Sequence, residues 1–570
     1  MTEVTESPQP EGAAPGATRS ALRETGASLR SVFKNPNLRR IQLAFAGSAI
    51  GDWAYATAVT VWAYGVGGPQ AIGIWVGIRL ALMALTAPLA SMLADRFPRK
   101  MVMIGADLVR IVLVSASAAC LFLDTPPAPI FVLATLTSLC GTPFRIAQRA
   151  VLPSLAERPE ELTAANGTAS TIESLAFFVG PAIAALLLGF SPVQVVFLLN
   201  VATFVWSLLM VAGVRVTPRP RDAGEGEADS AEDAAQPGFL SETMAGFRAI
   251  GDDRGLLVVV AAVSVQTIVA GASAVFMVVM MVEIAGTGPE GVGFLESVLG
   301  VGCVLGGFLA ISRASRHRLG TDLLTGVVLW AVPLLLVTAW PEPVVVFAAI
   351  ALLGVANPLV DVNTDTIIMR LAPDEVLGRV FGAMEAACVT TMALGSFAMP
   401  FLIDWLGLRW SLAAIAVPVA LVALAGVPTM IALDARLRPP ATLPLLQAIE
   451  MFAPLAPSTL ESLAGSLVPV RVLAGDVVVH EGDDSDRFYV IESGLVEVTH
   501  EDGRVLGREG PGDFFGEIGL LRDVPRTATI TAVEDTLLQA LPREAFLSAV
   551  SGQRDARMAA ETIVNRRLAM

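Results

Sequence analysis

Twelve stretches of this chain, each about 20 or more residues long and nearly free of charge, limit what it can fold into more than any other feature. They run roughly 41–66, 71–94, 101–122, 128–148, 165–189, 193–214, 256–284, 291–312, 322–340, 344–369, 377–402 and 409–433. Crossing ~30 Å of hydrocarbon takes about 20 mostly apolar residues in a helix. Within hydrocarbon a helix also satisfies its own backbone hydrogen bonds. Residues 41–433 therefore read as an all-α bundle of twelve membrane-spanning helices. Charged residues make up only 16% of the chain, against about 25% in ordinary globular proteins. That excludes a disordered chain, a fibrous one, and a water-soluble enzyme with an ordinary surface. A net charge of −15 argues against nucleic acid as a partner, because phosphate binding draws on clustered Lys and Arg.

The negative charge lies mainly outside the spans. Residues 436–570 carry a net −7, contain no apolar run long enough to cross a bilayer, and read as a soluble domain. The segment 215–254 carries a further −4. With the N-terminus on the cytoplasmic side, the inside loops hold eighteen Lys or Arg and the outside loops hold Arg409 alone. The positive-inside rule then puts both termini and the soluble domain in the cytoplasm. Among 38 basic residues only Lys34 and Lys100 are lysines, a usage that fits a GC-rich bacterial genome and hence a bacterial plasma membrane. The expected organisation is a flexible tail 1–40 without a signal-peptide core, a first six-span half 41–214, an acidic cytoplasmic loop 215–254, a second half 255–433, a linker 434–446 and a C-terminal domain 447–570. Cys120, Cys140, Cys303 and Cys388 all fall in apolar stretches and read as small core residues. His317, His480 and His500 are scattered, so no metal site is expected.

The second six spans resemble the first at an offset near 215. Pro143 falls on Pro358, Gly167 on Gly382 and Gly180 on Gly395, while Leu155-Ala156 falls on Leu371-Ala372 and Ser91 on Gly306. Parallel repeats of this kind build some transporters, so the bundle reads as two six-helix pseudo-repeats.

The run Ser91 to Lys100 (SMLADRFPRK) resembles the signature loop between helices 2 and 3 of the major facilitator superfamily, with Ser91 and Pro98 replacing two family glycines. Ala176 to Ala185 (AFFVGPAIAA) is similar to the helix-5 motif of its antiporter branch, with glycines softened to alanine. Gly51-Asp52-Trp53, and the run from Thr142-Pro143-Phe144 to Leu152-Pro153-Ser154-Leu155, look most like its siderophore and macrolide exporter group. The resemblance covers about 41–433 and implies a secondary transporter rather than an enzyme. It also implies that Asp95 and Arg99 form a gating latch of the outward-facing state, received by a turn near Glu375–Arg379. Ala310 stands at the position of Asp95 in the second half, so only one half carries a full latch.

A charge inside the bilayer is costly and is a functional candidate by default. Asp52 in span 1 leads as a proton-coupling or substrate-contacting acid. Glu173 in span 5, Asp361 and Asp365 one turn apart in span 10, and Glu385 in span 11 follow. Asp107 and Arg110, spaced i, i+3 in span 3, read as a structural pair, and Arg79 lies in span 2. Glu283 and Glu296 fall near the outer interface and read as solvated. Gly300, Gly302, Gly306 and Gly307 in span 8 read as a line for close helix packing, not a phosphate loop.

Beyond Pro439-Pro440, residues 443–465 read as an amphipathic helix with Leu446, Ile449, Phe452 and Leu455 on one side. From Val468 the pattern turns to short β segments broken by Gly and Asp, which imply a small roll or barrel. A helical stretch at 543–568 closes the chain. Within the roll, Gly512-Asp513-Phe514-Phe515-Gly516-Glu517-Ile518-Gly519 precedes Pro525-Arg526-Thr527-Ala528. A glycine-opened turn offers backbone N–H groups to an anion, and Arg526 adds a fixed charge. Glu517 beside them repels a phosphate unless it accepts from a hydroxyl, so a phosphate next to a sugar hydroxyl suits both.

This segment resembles the phosphate-binding cassette of cyclic-nucleotide-binding domains, over about 445–550. The resemblance implies that Glu517 takes the ribose 2′-hydroxyl and Arg526 the cyclic phosphate, with Gly516, Ile518, Thr527 and Ala528 adding contacts. Cyclic AMP is the expected ligand, with cyclic GMP open through Thr527. Met558, Thr562 and Asn565 of the closing helix are candidates for the base. The combined expectation is a proton-coupled exporter of an amphipathic small molecule, in contact with membrane lipid and regulated by a cyclic nucleotide. Two alternatives stay open, a lysophospholipid flippase with the same regulation and a transporter-derived receptor. The substrate and the oligomeric state are not readable.

Overall fold

The computed structural model describes residues 32–156, 159–215, 239–314, 318–437, 440–455, 457–551 and 554–568. The side chains of Asp95 and Glu375 also lie outside the described set, so the latch expected there is not among the described contacts. The chain divides into two compact units, Met1–Arg436 and Leu437–Met570.

Ten helices long and apolar enough to cross a membrane are found among the described residues of the first unit. In chain order its helices are α1 (Pro36–Arg96), α2 (Arg99–Phe122), α3 (Pro127–Leu155), α4 (Pro159–Phe190), α5 (Val193–Ala212), α6 (Phe239–Asp252), α7 (Arg254–Met280), α8 (Val292–Ala314), α9 (Leu319–Ala339), α10 (Pro343–Leu371) and α11 (Asp374–Arg436). Their starts are written in the sequence. Asn35 Oδ1 accepts from the N–H groups of Asn37 and Leu38 ahead of α1, and Asp253 Oδ1 accepts from those of Gly255 and Leu256 ahead of α7.

Two helices are too long for one crossing. α1 has 61 residues and α11 has 63, each ~90 Å at 1.5 Å per residue. Each breaks at a glycine with positive φ, Gly68 (φ 61, ψ −154) and Gly407 (φ 73, ψ 162), a region that costs other residues dearly. The chain reverses at both. Trp62 meets Phe131 with ring centroids 4.9 Å apart, and Phe131 also lines a groove with Ile74 and Ile78 from beyond the break. Val380 shares a buried cluster with Ile250, while Arg436 Nη1 lies 3.0 Å from Asp253 Oδ2. Both ends of α11 thus return to the start of α7, whereas a straight helix would hold residues 380 and 436 ~84 Å apart. The ten long helices make twelve passes, six in each half.

Backbone approach sets the packing. A Cβ on Gly302 would stand 2.3 Å from Ala351 O, and one on Gly306 would stand 2.3 Å from Val355 O, so α8 lies directly on α10. Gly300 faces Phe178 on α4, but Gly307 faces open space and does not belong to the packing line expected for it. The acidic segment 215–254 is not wholly a loop. Its last part forms α6, where Gly246 lies against the backbone of Arg379 and Ile250 is buried with Val380 and Ala383.

The second unit runs α12 (Leu443–Gln447), α13 (Pro457–Gly465), β1 (Val468–Val472), β2 (Val477–Val479), β3 (Arg487–Ser493), β4 (Val496–Thr499), β5 (Val505–Glu509), β6 (Phe514–Phe515), α14 (Glu517–Arg522), β7 (Thr529–Ala532), β8 (Thr536–Pro542), α15 (Arg543–Ser551) and α16 (Arg554–Leu568). Two antiparallel four-stranded sheets, ordered β1-β8-β3-β6 and β2-β7-β4-β5, form the roll. The single helix expected over 443–465 is instead two short helices with a 3₁₀ turn at Glu450–Phe452 between them. Pro454 and Pro457 lack the N–H groups that would carry one helix through. The apolar side is the expected one all the same, since Leu446, Ile449, Phe452 and Leu455 are buried with Phe488 and Phe546.

The α8–α10 contact leaves no room for a side chain. Gly302→Val is expected to destabilise the first unit by about 1–3 kcal/mol, the usual cost of overpacking. A thermal unfolding midpoint of purified protein in detergent, lowered relative to wild type, checks this.

Candidate functional sites

The turn between β6 and α14 is built around Gly516, whose φ of 92 no other residue adopts cheaply. A Cβ there would stand 2.4 Å from Arg526 Nη1 and 2.9 Å from Arg487 O, so the position is closed to side chains on two counts. Opposite it, the backbone N–H of Arg526 donates to Asp483 O at 2.8 Å, and the N–H of Gly482 donates to Arg526 O at 2.9 Å. This pairing fixes Arg526 before its side chain makes any bond.

Arg526 is 5% exposed and points back under the turn. Its guanidinium donates to Arg487 O (2.8 Å) and to Asp486 Oδ1 (3.3 Å), and its Nε is buried with no partner. Glu517, the first residue of α14, is 1% exposed. Its Oε1 accepts from Arg567 Nη1 at 3.0 Å, and its Oε2 is buried with no partner. The two residues singled out in the sequence are thus brought to one turn, and each keeps an unused polar atom. Thr527 is exposed, and Gly516, Ile518 and Ala528 are half-buried beside it.

Arg567 was not anticipated. It comes from the closing helix α16, bonds Phe514 O at 2.8 Å, lies 4.5 Å from the Phe514 ring centroid, and reaches Glu509 Oε1 at 3.0 Å. A buried Glu517 needs a cation, and the closing helix offers Arg554, Arg557 and the Arg566-Arg567 doublet, among which the sequence alone does not choose. Of the residues expected to meet a base, Met558 and Thr562 are exposed, and Asn565 accepts from Arg522 Nη2 at 2.8 Å. Burial pushes the carboxyl of Glu517 up from its ordinary range. Burial first, then the charges of Glu517 and Asp513, push Glu509 up to about 7 against the pull of Arg567.

In the membrane unit, Asp52 is not a bare acid. Arg110 Nη1 donates to Asp52 Oδ2 at 3.1 Å, and Nη2 donates to Asp107 Oδ1 at 2.5 Å. Ser207 completes the network on Asp107 Oδ2 at 2.7 Å. The guanidinium lies between Phe204 and Phe144, at 4.2 and 4.8 Å from the ring centroids. The pair read as structural therefore extends to the leading candidate acid. Asp107 and Arg110 are buried, while the Asp52 side chain is 26% exposed. Glu173 pairs with Arg145 (3.1 Å) and Arg149 (3.6 Å). Asp361 accepts from Asn357 Nδ2 at 3.0 Å and lies within electrostatic reach of Asp365 and Glu385, all three exposed. Arg99 donates to Ala150 O at 2.5 Å, and Lys100 donates to Ala212 O and Val214 O at 2.9 and 2.8 Å. Arg79 lies over the Trp75 ring, 5.0 Å from its centroid.

Twelve passes in two six-helix halves, followed by a roll with this turn, define a membrane transporter with an attached ligand-binding module. The family model of the Major Facilitator Superfamily matches residues 41–323 and 271–473, and that of the cyclic nucleotide-binding domain matches 469–553. The chain belongs to the Major Facilitator Superfamily and carries a C-terminal cyclic nucleotide-binding domain. It is similar to acetyltransferase Pat of Mycolicibacterium smegmatis, 46% identical over 105 residues that make up 18% of this chain and 31% of that protein. It is similar also to the cAMP-dependent protein kinase regulatory subunit of Dictyostelium discoideum, 44% identical over 92 residues, 15% of this chain and 28% of the relative. Among solved structures, the regulatory domain of Toxoplasma gondii PKA co-crystallised with cAMP is 32% identical and covers 19% of this chain and 42% of its own, with a TM-score of 0.18. The chain spans less than a third of the length of these two curated relatives.

The position of Glu509 gives the roll a pH dependence. Its folded value of about 7 lies above the ordinary 4.5, so between those values the folded domain binds a proton that the unfolded chain does not. Stability therefore falls as pH rises through this window. Hydrogen exchange of the roll is expected to be slower at pH 5.5 than at pH 8 after correction for intrinsic rates, and Glu509→Gln should remove part of the difference.

Proposed function

We propose that this protein is a proton-coupled exporter of an amphipathic small molecule whose activity is set by cyclic AMP bound to the cytoplasmic roll. The observation that carries the regulatory part is the pair of unused atoms at one buried turn, Glu517 Oε2 and Arg526 Nε. A buried polar atom without a partner is costly, and a ligand offering a hydroxyl beside a phosphate relieves both. Glu517 takes the 2′-hydroxyl and Arg526 the phosphate, with Gly516, Ile518, Thr527 and Ala528 around them. Cyclic AMP is preferred to cyclic GMP because a relative matched over this segment is named for it.

In the membrane unit, Asp52 is the proposed coupling acid. It is the half-buried, more accessible end of a network whose other acid is sealed, so a proton or a cationic substrate arriving there competes with Arg110. Asp361, Asp365 and Glu385 supply a second acidic surface in the other half, and Glu173 is held in reserve by its two arginines. A lipid-flippase reading has one observation in its favour. An apolar groove of about 420 Å³ opens between the second pass of α1 and α3, lined by Ile74, Trp75, Ile78, Phe131, Val132 and Leu136.

Purified full-length protein in vesicles tests the proposal through efflux of an amphipathic dye under a pH gradient, with and without cyclic AMP. Nucleotide binding without any effect on efflux would leave the roll as a passenger. Arg526→Ala is expected to weaken cyclic AMP binding at least tenfold by calorimetry, given ~1.5–3 kcal/mol for a charged hydrogen bond. Asp52→Asn is expected to abolish the pH-gradient dependence of efflux, and an unchanged dependence would remove Asp52 from the coupling role.

A further inference from the structure

Arg79 lies inside the membrane unit without an acid to balance it. Arg110 is balanced by Asp52 and Asp107, and Arg145 and Arg149 share Glu173. Among the described residues Arg79 makes no hydrogen bond or ion pair, and its Nε is buried. Its guanidinium carbon stands 5.0 Å from the ring centroid of Trp75, one turn earlier on α1. Trp75 is 5% exposed, and its indole Nε1 is likewise buried without a partner. An indole N–H and a guanidinium donate and do not accept. Two such groups left unpartnered side by side call for acceptor oxygens that carry negative charge. A charge within the bilayer that no neighbour pairs marks a ligand path by default.

The same tryptophan borders the apolar groove between the second pass of α1 and α3. Trp75 lines it with Ile74, Ile78, Phe131 and Leu136. The hydroxyl of Thr135, also in the lining, donates to Phe131 O of its own helix at 2.8 Å. The groove therefore offers apolar surface and no free polar side chain. On α1 its lining extends from Ala71 to Leu82, so Arg79 falls within its length. Charge and groove are separated by one indole, and a molecule with an anionic head and an apolar body suits both.

Depth distinguishes two kinds of such molecule. The second pass begins at the Gly68 turn, and Arg79 lies ~16 Å further along the helix at 1.5 Å per residue. That is about the middle of ~30 Å of hydrocarbon. A lipid of the bilayer keeps its headgroup at the surface. A headgroup at Arg79 therefore belongs to a molecule in passage and not to the surrounding lipid.

We propose that Arg79 and Trp75 form a substrate subsite for a single-chain amphipathic anion. Its carboxylate or phosphate head accepts from Arg79 and from Trp75 Nε1, and its apolar body occupies the groove. This rests on the transporter reading and names the substrate class for it. The coupling role of Asp52, which is held by Arg110, is separate.

The test measures binding and needs no transport. Full-length protein is immobilised in phosphatidylcholine nanodiscs, and radiolabelled dodecanoate is followed by scintillation proximity at pH 8 against empty discs. Unlabelled dodecanoate and dodecyl phosphate are expected to displace the label, whereas dodecyltrimethylammonium and dodecanol are not. Arg79→Gln is expected to weaken binding about tenfold or more, the worth of a charged hydrogen bond. Arg79→Lys, which keeps the charge but not the planar fork, should fall between Gln and wild type. Val132→Trp, which fills the groove, should weaken binding with Arg79 intact. Discs containing phosphatidylglycerol should leave the affinity unchanged, and loss of dodecanoate binding there would assign the site to bilayer lipid and overturn the proposal. Absent binding to wild type, displacement by the cation or the alcohol, or an Arg79→Gln or Val132→Trp variant that binds as wild type does overturns it as well. If Arg79→Gln lowers the thermal midpoint, the headgroup competition on wild type decides alone. Failure of these arms leaves proton-driven efflux standing, whereas absent efflux with intact dodecanoate binding counts against the transport reading alone.

Discussion

Arg110 keeps 1% of its side chain exposed in the middle of the first half, and a guanidinium taken out of water costs several kcal/mol unless its partners are in place. Two carboxylates, a serine on a third helix and two aromatic rings assemble around it. Asp52 comes from α1, Asp107 from α2, Ser207 and Phe204 from α5, and Phe144 from α3, so one charge sets the relative positions of four helices. The need to pair a buried charge thereby does what apolar contact cannot do between helices in hydrocarbon, where lipid tails are as apolar as leucine. It also makes the network responsive. A proton placed on its exposed member, Asp52, removes one of two anions that balance Arg110.

The same constraint organises the roll. Glu517 and Arg526 are both buried at one turn, yet they do not neutralise each other. Each is matched by a group from elsewhere, Glu517 by Arg567 of the last helix and Arg526 by Asp486 before β3. A nucleotide hydroxyl taken up by Glu517 would compete with Arg567, the bond that ties α16 to the β6–α14 turn. Ligand binding shifts an equilibrium only by its differential affinity for the two states, and the bonds of Glu517 to Arg567 and of Arg526 to Asp486 are those a ligand at this turn would compete with. A tenfold preference for one arrangement amounts to ~1.4 kcal/mol, about the worth of one such charged hydrogen bond.

The sequence showed what depends on composition over 20 residues or on a dense local motif. The twelve passes, the two halves and the Gly516-to-Ala528 segment belong to that class, because hydrophobic length and turn chemistry are local quantities. It did not show what depends on partners far apart in the chain. Arg567 meets Glu517 across 50 residues, and Glu296 meets Thr57 across 239. Glu296 was misplaced for a specific reason: an acid a few residues from a helix start looks solvated until the other half is packed over it. The helix over 443–465 failed differently, since Leu446 to Leu455 kept the right face while Pro454 and Pro457 broke the rod. Periodicity reports which side is buried, and backbone chemistry decides whether one helix carries it.

The end of the last pass is held on both sides by the second half. Asp434 accepts from the N–H groups of Gly320 (2.7 Å) and Thr321 (3.0 Å) at the start of α9, and Arg436 pairs with Asp253 at the start of α7. The final turn of α11 is thus tied to two other helices of the second half just before the chain leaves the membrane unit. Helix ends normally fray and absorb strain within a turn. This one is held by charged bonds on both sides, so strain entering from the chain beyond Arg436 acts on α7 and α9 together rather than on one loose turn. Six residues, including Pro439-Pro440, separate Arg436 from Leu443. Through Asp434 and Arg436 the end of the last pass is therefore joined to the starts of α9 and α7, so those three helix ends of the second half move as one body.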